Sequence, residues 1–87
     1  MGKEGPRDYN GDSVRGMLLS MVSSMHGDRE RLERTHGKLK EYISEHYPLD
    51  SPLADRYLNY AKIIMISSMS YNFRSDNMPS VRKALGL

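Results

Sequence analysis

Cysteine and tryptophan are absent from the 87 residues, and phenylalanine occurs once. Without thiols, neither disulfides nor thiolate metal sites are available. A chain this short lies near the lower limit for a self-sufficient core, so without such staples it relies on efficient helix packing or on a partner. Long apolar runs are missing too: the longest, Ile63–Ile66, is far too short to cross a bilayer. The first dozen residues, MGKEGPRDYNGD, are polar and show no export signal, which makes the cytoplasm the expected compartment. Excess charge is scarce as well. A net charge of +2 permits contact with nucleic acid without arguing strongly for it.

What remains is 38% hydrophobic and 28% charged, the balance of a folded domain. Residues 1–11 contain Gly2, Gly5, Pro6, Asn10 and Gly11 and read as a flexible N-terminal segment, leaving 12–87 as one domain. After a cap at Asp12 or Ser13, Val14, Met17, Leu18, Met21, Val22 and Met25 recur at three- and four-residue steps. The spacing predicts a helix over about 13–26, stopped by Gly27 in a left-handed cap.

Asp28 caps a densely charged second helix, about 28–47, whose seam is Leu32, Leu39, Ile43 and Tyr47. That seam faces either the bundle or a second copy. Gly37 in its middle costs about 1 kcal/mol relative to alanine and marks a close helix contact or a bend. Pro48 ends it, and PLDSP forms a corner with Pro52 in the next first turn. A third helix follows over about 53–72, with its stripe on Ala54, Tyr57, Leu58, Ala61, Ile64, Met65, Ser68 and Met69. Ile63 and Ile66 widen that stripe, as in a buried helix. FRSDN breaks the pattern, and Pro79 or Ser80 opens a short last helix over about 79–85. The expected fold is therefore an all-α bundle of three main helices and a short fourth.

One pentapeptide is written almost twice, as MVSSM at Met21–Met25 and MISSM at Met65–Met69. In an up-down-up bundle helices one and three run parallel, which puts both copies at the same height. Gly16, Ser20 and Ser24 add a small residue at every fourth position, allowing close approach of a neighbouring backbone. Two uses of this methionine-rich face stay open. It is a pair of matched packing surfaces, or it is an adaptable groove for an amphipathic partner helix or a second copy.

Chemistry finds little support. His26, His36 and His46 are ten residues apart, so His36 and His46 diverge by about 80° on one helix and cannot share a metal as i,i+4 ligands would. His36 in THGKLK lacks the rest of a phosphotransfer domain. No nucleophile elbow or phosphate-binding loop is present. The expectation is a protein that is not an enzyme and takes no cofactor or metal.

Binding is better supported. Tyrosine, which occurs six times, is enriched in interface hot spots. The expected protein interface is Met17, Met21, Met25, Tyr57, Tyr60, Met65 and Met69, with self-association into a homo-oligomer. Small helical proteins of this kind act as inhibitors, adaptors or assembly factors, also in phages and viruses. The alternative is an accessory nucleic-acid binder. Residues 1–47 balance eight basic against eight acidic side chains, whereas 48–87 carry five against three. Arg56, Tyr60, Lys62, Arg74, Arg82 and Lys83 would supply phosphate contacts and base stacking.

Overall fold

The computed structural model describes residues 9–87, in which four helices run Tyr9–Ser24 (α1), Arg29–His46 (α2), Pro52–Ser67 (α3) and Tyr71–Ala84 (α4). No strand occurs among them. The chain is all-α, as its periodicity predicts. Of the expected N-terminal segment 1–11, residues 1–8 lie outside the described part, and 9–11 are already helical.

α1 starts four residues earlier than its apolar stripe requires. Asn10 helps hold that first turn, accepting a hydrogen bond from the Tyr42 hydroxyl of α2 at 3.2 Å. The other end stops at Ser24, whose carbonyl accepts from the backbone of Gly27 and Asp28 at 3.3 and 2.9 Å. Gly27 is not the left-handed cap its sequence position suggests, because Gly86 is the glycine with positive φ among the described residues. A tight turn through residues 25–27 redirects the chain instead.

α2 follows its sequence signals closely. The Asp28 carboxylate accepts from the Arg31 N–H at 3.0 Å, satisfying one of the orphan donors of the first turn. Tyr47 is forced to extended backbone (φ −126°, ψ 144°) by the proline after it. Leu32, Leu39 and Ile43 are buried, which settles the seam: it faces the bundle. Gly37 is exposed, and a Cβ there would meet nothing within 4 Å, so no close helix contact explains it.

The third and fourth helices depart from expectation. α3 begins where predicted, with the Ser51 hydroxyl accepting from the Ala54 N–H at 3.1 Å and Pro52 in the first turn. It ends at Ser67, five residues short, because Ser70 caps a new helix by accepting from the Phe73 N–H at 3.2 Å. FRSDN is thus helical rather than a break, and Pro79 sits inside a 14-residue helix rather than at its start. Three signals close α4. Leu87 N–H reaches the Arg82 carbonyl at 2.8 Å, Gly86 N–H reaches Lys83 at 3.1 Å, and Gly86 turns left-handed with φ 81°. That is a Schellman cap, in which a positive φ favours glycine.

α1 pairs with α2, α4 pairs with α3, and α3 also touches α1 and α2. Its buried Ala54 and Ala61 keep the central helix slim where neighbours press against it. Val14, Leu18, Met21 and Met25 from α1 and its end meet Leu32, Leu39, Ile43, Ile64, Met78, Val81 and Leu85 in one core. Each fully buried side chain of this size contributes about 1.5–3 kcal/mol. Ile63 and Ile66 are only half-buried, so α3 is not apolar-packed all round.

Candidate interaction surfaces

The two pentapeptides do meet at one end of the bundle. Met25 and Ser68 line the same cavity of about 250 Å³ with His26, Arg29 and Leu32. Arg29 spans the two copies, its Nη2 at 3.6 Å from the Met69 sulfur, while its Nε holds Glu33 at 3.1 Å. The serines divide differently in the two copies. Ser24 is buried and donates to the Ser20 carbonyl at 2.8 Å. Ser67 is wholly buried, and its hydroxyl has no hydrogen-bond partner.

Placed in the fold, the expected methionine–tyrosine interface is mostly buried or half-buried. Met21 and Met25 are buried and cannot be presented to a partner, a correction that follows from their place in the shared core with Leu32, Leu39 and Ile64. Met17, Tyr57, Tyr60 and Met65 are half-buried and pack against that core. Only Met69, at 64% exposure, lies open. The small-residue row is not a contact surface throughout either, since Gly16 is exposed and a Cβ added there would meet nothing within 4 Å. Ser20 does face a neighbour, receiving the Arg31 guanidinium on its hydroxyl at 3.2 Å.

The basic set does not converge. Arg56 and Lys62 lie about 120° apart around α3, and Arg74 and Lys83 about 180° apart around α4. Arg74 is half-buried with its guanidinium 5.1 Å from the centre of the Tyr71 ring. Arg56, Lys62, Arg82 and Lys83 are exposed, and Tyr60 is half-buried.

The histidines also stay apart in role. His46 lies 4.1 Å from the Tyr42 ring, centre to centre. His36 is half-buried; burial, and then the positive charge of Lys40, push its pKa below the ordinary value. Among the described residues no three histidine or carboxylate side chains come close enough to hold a metal ion. Their buried polar side chains are three serines, Ser24, Ser51 and Ser67.

A different feature stands open at the α2–α3 corner. A groove of about 190 Å³ runs between the last turns of α2 and the first turns of α3. Ile43, Tyr47, Ala54 and Leu58 form its apolar floor, Pro48 and Leu49 its lip, and Lys40 and Asp55 its two flanks. Tyr57 meets the lining residue Tyr47 edge-on, with ring centres 6.0 Å apart. Leu49 has no cover at all: its exposure reaches that of an isolated residue. In the sequence, PLDSP reads as a corner and nothing more. The one local signal of a surface is a leucine placed between a proline and an aspartate, where no helical stripe claims it.

No helix among the described residues is long and apolar enough to cross a membrane. No family model matches the chain, and no curated protein or solved structure is detectably similar to it.

Proposed function

We propose that this chain is a non-enzymatic helical interaction protein of the inhibitor, adaptor or assembly-factor type, acting in the cytoplasm by binding a protein partner. The contact surface is the groove at the α2–α3 corner, in place of the methionine face, whose Met21 and Met25 are buried in the core. One observation carries this reading: a preformed apolar groove stands beside a large apolar side chain, Leu49, that nothing covers. Monomeric soluble proteins do expose single leucines. A leucine at the lip of an apolar groove adds to one contiguous surface of the kind that marks interaction sites.

A photocrosslinking amino acid at position 49, compared with one at the exposed Lys38 on α2, tests it in living cells. The expected outcome is a discrete protein adduct from position 49 and none from 38. Binding of mixed nucleic acid at low salt, lost on charge reversal at Lys62 and Arg74 and accompanied by no adduct at 49, would replace this reading with the nucleic-acid one.

A further inference from the structure

The flanks of the groove carry opposite charges. Lys40 projects from α2 and Asp55 from α3, and neither has an ion-pair partner among the described residues. We infer that the occupant of the groove is a second copy of this chain, held by a two-fold contact in which Leu49 enters the partner's groove and Lys40 meets the partner's Asp55. The inference rests on the interface reading above and narrows it to one partner.

Symmetry favours a second copy. A two-fold interface uses the same patch on both sides, so the patch must complement itself: where residue i meets j, j meets i. A rim of one sign repels its own copy. A rim with a cation on one flank and an anion on the other satisfies the condition, because rotation by half a turn places α2 of one copy over α3 of the other. Each Lys40 then faces the partner's Asp55, and both pairs form together. The apolar part is self-complementary as well. Leu49 projects from the lip of a groove that can receive a leucine side chain, so each copy offers both the knob and the hole. Both ion pairs lie at the rim, where they set register and add little affinity. The patch is small, and the contact is accordingly a weak, concentration-dependent dimer.

Sedimentation velocity of the full chain over a wide concentration range reads the result directly. Wild-type protein is expected to shift from monomer to dimer as concentration rises, and Leu49→Asp to raise the dissociation constant at least tenfold. Lys40→Asp and Asp55→Lys alone each weaken the dimer several-fold, and the double swap K40D/D55K restores it, since the two charges exchange places in both pairs. These three positions are exposed, and far-UV circular dichroism verifies that each variant is folded. A monomer at every concentration overturns the inference, as does a dimer that Leu49→Asp leaves intact or that the double swap fails to restore. A strictly monomeric chain that still crosslinks through position 49 to a different protein overturns the second copy alone. Absence of both dimer and adduct overturns the interface reading with it.

Discussion

Gly37 and Gly86 are both exposed glycines, yet alanine should act on them in opposite directions. At Gly37, inside α2, a Cβ has open space, and the substitution removes backbone freedom from the unfolded chain. Gly37→Ala should stabilise by about 0.5–1 kcal/mol. At Gly86 the backbone is left-handed, and a Cβ would approach Arg15 Nη2 to 3.2 Å. Gly86→Ala should cost about 1–2 kcal/mol. Urea denaturation of the two variants checks the pair, and equal signs would contradict the described backbone. Ser67 gives a third test. Its buried, unbonded hydroxyl costs about 1–3 kcal/mol of desolvation, so Ser67→Ala should leave stability unchanged or raise it by about 1 kcal/mol once the small cavity is counted. A clear loss on thermal melting would mean that the hydroxyl has a partner after all.

His36 belongs to the same scale. Its pKa is lowered in the folded protein, by burial first and by Lys40 second, from an ordinary value near 6.5. The unfolded chain therefore binds the proton more readily, and unfolding takes one up as pH falls through that region. Stability is whole above about 6.5 and declines below it. His36→Gln should flatten the drop in urea midpoint between neutral and mildly acidic pH. An unchanged slope would assign the drop to other groups.

Among elements, α4 shows where sequence reasoning meets its limit. Pro79 has no N–H for the Ser75 carbonyl, so it reads naturally as a first-turn residue, and the polar FRSDN before it reads as loop. Both readings use local chemistry. What makes residues 71–84 helical is the Ser70 cap together with burial of Met78 and Val81 against the rest of the bundle, and the latter is invisible locally. α2 was legible because its boundaries are local: an aspartate cap at 28 and a proline at 48. The methionine stripe was legible as apolar, but periodicity does not say whether an apolar stripe faces the core or a partner. The groove was not legible, since it arises from how two helix ends splay around PLDSP. An exposed proline inside a helix also predicts its own removal: Pro79→Ala should stabilise by about 2 kcal/mol, the lost hydrogen bond outweighing the stiffer unfolded chain. No gain in thermal stability would place the start of α4 at Pro79, as the sequence first suggests.

At the scale of the whole molecule, the bundle is two hairpins leaning on α3, and α4 packs its backbone on α3 alone. Beyond the buried Met78, Val81 and Leu85, a polar side chain also ties the far end of α4 to the first hairpin. Arg15 of α1 places Nε and Nη2 at 3.2 and 2.7 Å from the Leu85 carbonyl oxygen, across 70 residues of sequence. That carbonyl lies at the C-terminal, negative end of α4, where a cation and a hydrogen-bond donor are both favourable. Because Arg15 is largely exposed, its loss should cost global stability only about 1 kcal/mol, below the usual range for a charged donor. Its local effect should be larger. Arg15→Ala should speed amide exchange in the last turn of α4 and around Gly86 while leaving α2 protected, because local opening follows the contacts that hold a segment and not the stability of the whole. Arg15→Lys keeps the charge but loses the two-donor fork, and should fall between the two. Hydrogen-exchange mass spectrometry distinguishes these outcomes. Faster exchange spread evenly over all four helices would mean that Arg15 contributes to the core as a unit, whereas acceleration confined to residues near the α4 end would identify it as the clasp between the hairpins.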